Sequence, residues 1–216
     1  MKYVQSKKIF SILFILTAFS LVSLNAAAVD FTTAEKEKLK AGKTIKKRLA
    51  TSGQKGFFGG SGYTLIDAPA DVVWQAIKDW GAYDKMFSAT SSVKEVAQKG
   101  NTSLIHYEMG YKMISLEYYM EAKFDKANYT MTFTLVESKP HDIDMAKGYW
   151  KLFPQPGNRT LVAYVVSAKV PMGVVNLLND DMNQMVERNL IGAPNDVKKW
   201  LASAAGRKYF TRTARK

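Results

Sequence analysis

ISLEYYMEAKFDKANYTMTFTL, residues 114–135, alternates with a period of two on either side of a short polar break. Ile114, Leu116, Tyr118, Met120, Ala122 and Phe124 fall on one side, and Ser115, Glu117, Tyr119, Glu121, Lys123 and Asp125 on the other. Beyond Lys126-Ala127-Asn128, the residues Tyr129, Met131, Phe133 and Leu135 repeat the apolar side against Thr130, Thr132 and Thr134. Successive strand side chains point to opposite faces, so the stretch predicts two antiparallel strands whose single apolar face needs a cover.

The same punctuation extends outward. Lys99-Gly100-Asn101 and Pro156-Gly157-Asn158 are further turn signals, and with GYWKLFP (148–154) and RTLVAYVVSAKV (159–170) they predict an antiparallel meander from about Ser91 to Lys169. The last of these runs is apolar on both faces, so its pattern does not orient it. ESKPHDIDMAKG, 137–148, reads as a polar, irregular connection. Upstream, a first strand is expected at Tyr63–Asp67, led in by a flexible or bulged segment rich in glycine at 53, 56, 59, 60 and 62. Those glycines precede the strand and no GK[ST] follows, which excludes a phosphate-binding loop. After Ala68-Pro69-Ala70-Asp71 comes a helix with Val73, Trp74, Ile77 and Trp80 on its apolar side, then a connection expected to expose Tyr83, Met86 and Phe87.

The cover is predicted in residues 174–204. Leu178, Met182, Met185, Val186 and Leu190 form one helical stripe, with Asn179, Asp180, Glu187 and Arg188 opposite. Such a helix would span about 45 Å. Gly192 and Pro194 predict a kink or restart, because proline removes a backbone donor and biases its predecessor away from helix.

Residues 1–28 read as a secretory signal peptide: Lys2, Lys7 and Lys8, an apolar run Ile9–Leu24, and Ala26-Ala27-Ala28 as an A-x-A cleavage site near Ala28. An uncleaved tether is the alternative. Residues 29–56 then form a basic extension, with a surface helix expected over Phe31–Leu49, followed by one domain at 57–205 and a basic, frayed tail at 206–216. The chain has no cysteine, so no disulfide or thiolate metal site exists. Only three of its 31 Lys and Arg lie in the signal segment, against 19 Asp and Glu, so the remainder is strongly basic. For an exported protein that charge points to anionic membrane surfaces, with Lys43, Lys46, Lys47 and Arg48 as the contact residues, and not to nucleic acid. Solubility alone is the plainer reading of the same charge. The sequence carries no signal for oligomeric state.

Strand, short helix, long meander, long terminal helix is the helix-grip order, an α+β class. DAPADVVWQAIKDWGAYDKMF (67–87) resembles the opening of START-like (SRPBCC) proteins, in particular the polyketide cyclase and coenzyme-Q-binding branch, and GYWKLFPQPGNRTLVAY (148–164) is similar to that family's paired strands. The resemblance covers about Gly62 to Ala204 and its motifs specify fold rather than activity. It implies a curved sheet wrapped around the terminal helix, with an apolar cavity between them for lipids, sterols, quinones or polyketides.

Within that frame the expected ligand cavity comprises Tyr107, Met109, Leu116, Tyr118, Met120, Met131, Phe133, Trp150, Tyr164, Leu178, Met182 and Met185, with Tyr83, Met86 and Phe87 at its entrance facing the loop at 170–175. Methionine suits irregular apolar guests, although it also serves as ordinary core filler. Catalysis would need acid or base groups on the inward face. By alternation His106, Glu108, Glu117 and Glu121 face outward, and His141 lies in the polar connection. No GxSxG elbow, EF-hand loop or histidine pair is present, so no catalytic residue, metal or cofactor is assigned. The residues favour an exported carrier of a hydrophobic small molecule or lipid; an exported cyclase or dehydratase using cavity tyrosines is the alternative.

Overall fold

The structure, a computed structural model, describes residues 30–49, 54–111, 114–176 and 189–213. The signal segment and most of the predicted terminal stripe, including Leu178, Met182 and Met185, lie outside the described residues. The chain divides into two units, 1–31 and 32–216, and the sheet with its helices belongs to the second.

Eight strands form one antiparallel sheet in the order β1-β2-β8-β7-β6-β5-β4-β3. They are β1 (Ile45–Arg48), β2 (Phe57–Ile66), β3 (Thr90–Lys99), β4 (Thr102–Tyr111), β5 (Ile114–Asp125), β6 (Thr130–Leu135), β7 (Met145–Gln155) and β8 (Arg159–Lys169). All three predicted turns join neighbouring strands at their expected positions, with Gly100 and Gly157 at φ +59 and +76. Along β5, Tyr118, Met120, Ala122 and Phe124 are buried while Ser115, Glu117, Lys123 and Asp125 are exposed, as the alternation requires. Register orients the ambiguous last strand. Tyr164 stands in one row with Trp150, Met131 and Phe124, so Thr160, Val162, Tyr164 and Val166 face the core. Ala163 faces the other way, beside a nearly buried Tyr63.

Helix α2 (Ala70–Lys78) buries Val72, Val73, Trp74, Ala76 and Ile77 against the sheet. Trp74 meets Phe124 edge-on at 6.3 Å. The connection after it is not an exposed loop. Trp80–Ala82 makes a 3-10 turn and α3 (Tyr83–Met86) a single helical turn, with Tyr83 and Met86 buried. The reason is local: the Tyr83 hydroxyl donates to the Ile77 carbonyl at 2.6 Å, tying the turn back to the end of α2.

Three other expectations are corrected. The basic helix, expected through Leu49, stops early: α1 spans Thr33–Lys40, begun by a Thr32–Glu35 capping box and ended at Gly42, whose φ of +73 suits glycine. Ile45–Arg48 then adds a strand to the edge of β2, an override of lysine's helix propensity by sheet pairing. Second, Gly59, Gly60 and Gly62 lie inside β2 and do not lead into it. A Cβ on Gly62 would come within 2.1 Å of the Ile191 carbonyl oxygen and one on Gly60 within 2.9 Å of the Ile191 side chain, so these glycines let the segment entering the last long helix cross the sheet closely. Third, the tail is not frayed through 213. After α4 (Met172–Val175) and α5 (Ala193–Ala202), a turn at Ala205–Arg207 leads into α6 (Lys208–Thr213). Tyr209 is wholly buried there and donates its hydroxyl to Asp79 at 2.7 Å, while Lys208 pairs with the same carboxylate at 2.6 Å. Helix α5 starts immediately after Gly192 with Pro194 in its first turn, which places the predicted restart.

Candidate ligand cavity

Alternation on β4 and β5 lays the floor. Tyr107 pairs with Tyr118, their rings stacked at 5.4 Å and 5°, and Met109 pairs with Leu116. Met120 pairs with Ile105 one step further along. On β6 to β8, Trp150 sits 4.3 Å from Tyr164, and Phe133 stacks on Tyr164 at 5.8 Å. Between these large side chains the inward positions are small: Ala122, Ala146 and Ala168. Small residues on a concave face leave volume that neighbouring side chains do not reach. The result is a cavity of about 240 Å³, roofed by Trp80, Tyr83 and Phe87 on one side and by Val170, Val174, Leu190 and Ala193 on the other.

The nine expected cavity residues from Tyr107 to Tyr164 that are described all line this space. Of the expected entrance, Tyr83 and Phe87 line it, whereas Met86 does not: it is packed in the core. A second hollow, bounded by Ser115, His141, Asp142, Asp144 and Pro171, shares Leu116, Ile143 and Val174 with the first. The cavity therefore approaches the surface at the 141–144 connection, on the side facing 170–175. Ala122, Ala146, Ala168, Phe58 and Ile143 join the lining without having been expected there. The inward alanines are readable from strand period, but only as small residues; that they leave space depends on what does not cover them.

Apart from one carboxylate, the described lining residues are uncharged. Among the described residues it contains no Lys, Arg or His, and its one carboxylate is Asp196, half-buried, whose pKa burial raises while Lys199 and Lys46 oppose the rise. Its other polar side chains are four tyrosines, Ser88, Thr90, Asn189 and the Trp80 and Trp150 indoles. Burial pushes the phenols of Tyr83, Tyr107, Tyr118 and Tyr164 up, so all are protonated donors at neutral pH. Tyr107 is half-buried and lines the cavity. Tyr118 donates to the Met109 sulfur at 2.8 Å and Tyr83 to the Ile77 carbonyl. The hydroxyls of Tyr107 and Tyr164 have no hydrogen-bond partner among the described residues.

Outside the cavity, on the opposite face of the sheet, His106 donates from Nε2 to the Glu117 carboxylate at 2.8 Å, its ring tilted against Tyr119 at 4.7 Å. His141 bonds the Ile143 carbonyl. No cluster of three metal-binding side chains occurs among the described residues. The expected membrane-contact residues do not share a helix face. Lys43 is exposed in the turn before β1, Lys46 and Arg48 lie on one side of β1, and Lys47 on the other, paired with Glu35 at 2.9 Å.

Several solved structures share this architecture. TTHA0849 from Thermus thermophilus superposes with a TM-score of 0.58 at 17% identity, covering 69% of this chain and 99% of that one. The Zhui aromatase/cyclase from Streptomyces sp. R1128 gives 0.56 at 18%, covering 69% and 98%. A STAR-related lipid transfer protein from Xanthomonas axonopodis gives 0.57 at 15%, covering 74% and 93%. At these identities the likeness is one of fold. No curated protein sequence matches the chain. Residues 66–192, more than half of the sequence, match the family described as polyketide cyclase / dehydrase and lipid transport. With its helix-grip α+β architecture and that match, the chain belongs to this START-like (SRPBCC) family.

Proposed function

We propose that the protein binds a hydrophobic small molecule or lipid in this cavity and carries it, outside the cytoplasm, without altering it covalently. The observation that carries the reading is the lining: a largely apolar space of about 240 Å³ whose described residues include no cation and no histidine. That volume lies just below the roughly 300–1,000 Å³ usual for small-molecule sites. Burying apolar guest surface contributes roughly 25 cal/mol per Å², so retention needs no covalent bond. Export is supported by the Lys2, Lys7, Lys8 and Ile9–Leu24 pattern, and an anionic membrane as docking surface by exposed Lys43, Lys46 and Arg48. Native mass spectrometry of the full chain, purified gently from its own envelope, tests the reading. An intact apolar molecule released on denaturation supports it; a uniformly empty protein that also takes up no added lipid contradicts it.

One observation favours a second reading, a cyclase-like enzyme. Asp196 faces the cavity with its pKa raised by burial, a disposition suited to a general acid or base beside the tyrosines. Turnover of a polyketide-like substrate that is lost in Asp196→Asn would establish it.

A further inference from the structure

Two buried hydroxyls point to what the guest must carry. Where this interior needs a tyrosine hydroxyl satisfied, the protein supplies the partner: Tyr83 has the Ile77 carbonyl and Tyr118 the Met109 sulfur. Tyr107 and Tyr164 line the same cavity and have no hydrogen-bond partner among the described residues. Tyr164 is more than nine-tenths buried, held in place by Trp150 and Phe133. Tyr107 is fixed by its stack on Tyr118 and by an edge contact with Tyr83 at 6.3 Å. The charge of an ionised Tyr164 would oppose ionisation of Tyr107, and both stay protonated at neutral pH. A buried donor left unpaired is unfavourable, whereas the same donor given a neutral oxygen acceptor is not.

Charge narrows the class further. A carboxylate brought into the space would meet no cation among the described lining residues and would share the cavity with Asp196. Uncompensated burial of an anion is costly enough that such a guest would have to take up a proton first. A ketone or ester carbonyl suffers neither penalty.

We infer that the cavity selects neutral, elongated apolar molecules bearing a carbonyl oxygen, which accepts a hydrogen bond from Tyr107 or Tyr164, and that it discriminates against free fatty acid anions. The inference rests on the hydrophobic-carrier reading above and adds to it the chemical class of guest.

The test uses the full chain stripped of endogenous ligand, the hydrocarbon fluorophore diphenylhexatriene, and displacement by 2-dodecanone or dodecanoate at pH 8. The ketone should displace the probe at a concentration at least about tenfold below dodecanoate. In Tyr107→Phe/Tyr164→Phe the affinity for 2-dodecanone should fall by about tenfold while that for diphenylhexatriene, which cannot accept a hydrogen bond, stays the same. The single variants Y107F and Y164F give the same comparison should the double variant fold poorly. If the probe binds but the ketone affinity is unchanged in the variants, or dodecanoate binds as tightly as the ketone, the carbonyl assignment is wrong and an unselective apolar cavity remains. If wild type binds none of the three, the carrier reading falls with it.

Discussion

At one end of the interior, Val73, Ala76, Ile77, Val162 and Val197 have no measurable exposure, and Trp74 and Trp80 both close on Phe124 at 6.3 Å. At the other, Phe58, Tyr118, Met120, Leu135, Ile143, Ala146, Val170 and Val175 form a second cluster, in which Met120 and Ile143 retain 4% exposure and the others 7–9%. The same sheet floors both. They differ in what stands over them: Trp74 of α2 and Trp80 of the turn after it press into the first, while the second has the small inward residues Ala146 and Ala168 in the cavity lining. A solid core and a hollow one can thus be built on one sheet by the size of its inward side chains together with what covers them. The first supplies stability, and the second is free to hold something else.

Alkali should break the contrast most severely, because the hollow end depends on protonated phenols. The buried tyrosines have folded pKa values above the ordinary value of 10.0. Their contribution is fully present below pH 10 and is lost as pH rises, since the unfolded chain releases these protons while the folded one holds them. Unfolding followed by circular dichroism should therefore set in above about pH 10, with cavity tyrosines ionising only as the fold is lost. Tyr107→Phe/Tyr118→Phe/Tyr164→Phe should move that midpoint to higher pH; an unmoved midpoint would mean the alkaline transition begins elsewhere.

Truncation separates the ends next. Ile77→Ala opens a void in a fully packed site and should cost about 2–5 kcal/mol by urea denaturation. Met120→Ala borders existing empty space, so its side chain has fewer neighbours to lose and the cost should be smaller. Equal costs would show that the second cluster is as tightly packed as the first. The smallest effect expected is at the closing tail, where Tyr209→Phe removes the hydrogen bond to Asp79 and the one accepted from the Trp200 indole and leaves the ring in place; about 1.5 kcal/mol is predicted, again by urea.

The sheet is legible in the sequence because its apolar period survives there: β5 and β6 bury or half-bury the residues that alternation puts inward, and three polar tripeptides mark the turns. What is not legible depends on distant partners. The glycines of β2 look like a flexible lead-in until Ile191 and Pro194 are placed against them. Residues 43–48 carry helix-forming lysines, and only the free edge of β2 makes them a strand. Tyr209 sits in a basic tail that nothing local would fold, and Asp79, far away in sequence, holds it. Of the cavity, the large inward residues on β4 to β8 are readable and the hollow itself is not, since an alanine in a strand has the same pattern whether or not a ring covers it. Met86 reads as surface because it lies in a short turn between two elements, and it is core because Tyr83 folds that turn inward.

The most direct measurement of the hollow core is diphenylhexatriene uptake by wild type and by Ala146→Phe. Ala146 faces the cavity and has space before it, so the added ring should fill the void with little loss of thermal stability. Stoichiometric uptake by wild type, falling at least about tenfold in a variant of unchanged Tm, is the predicted result. Uptake equal in both proteins, or a variant that unfolds as an overpacked core would, contradicts the account.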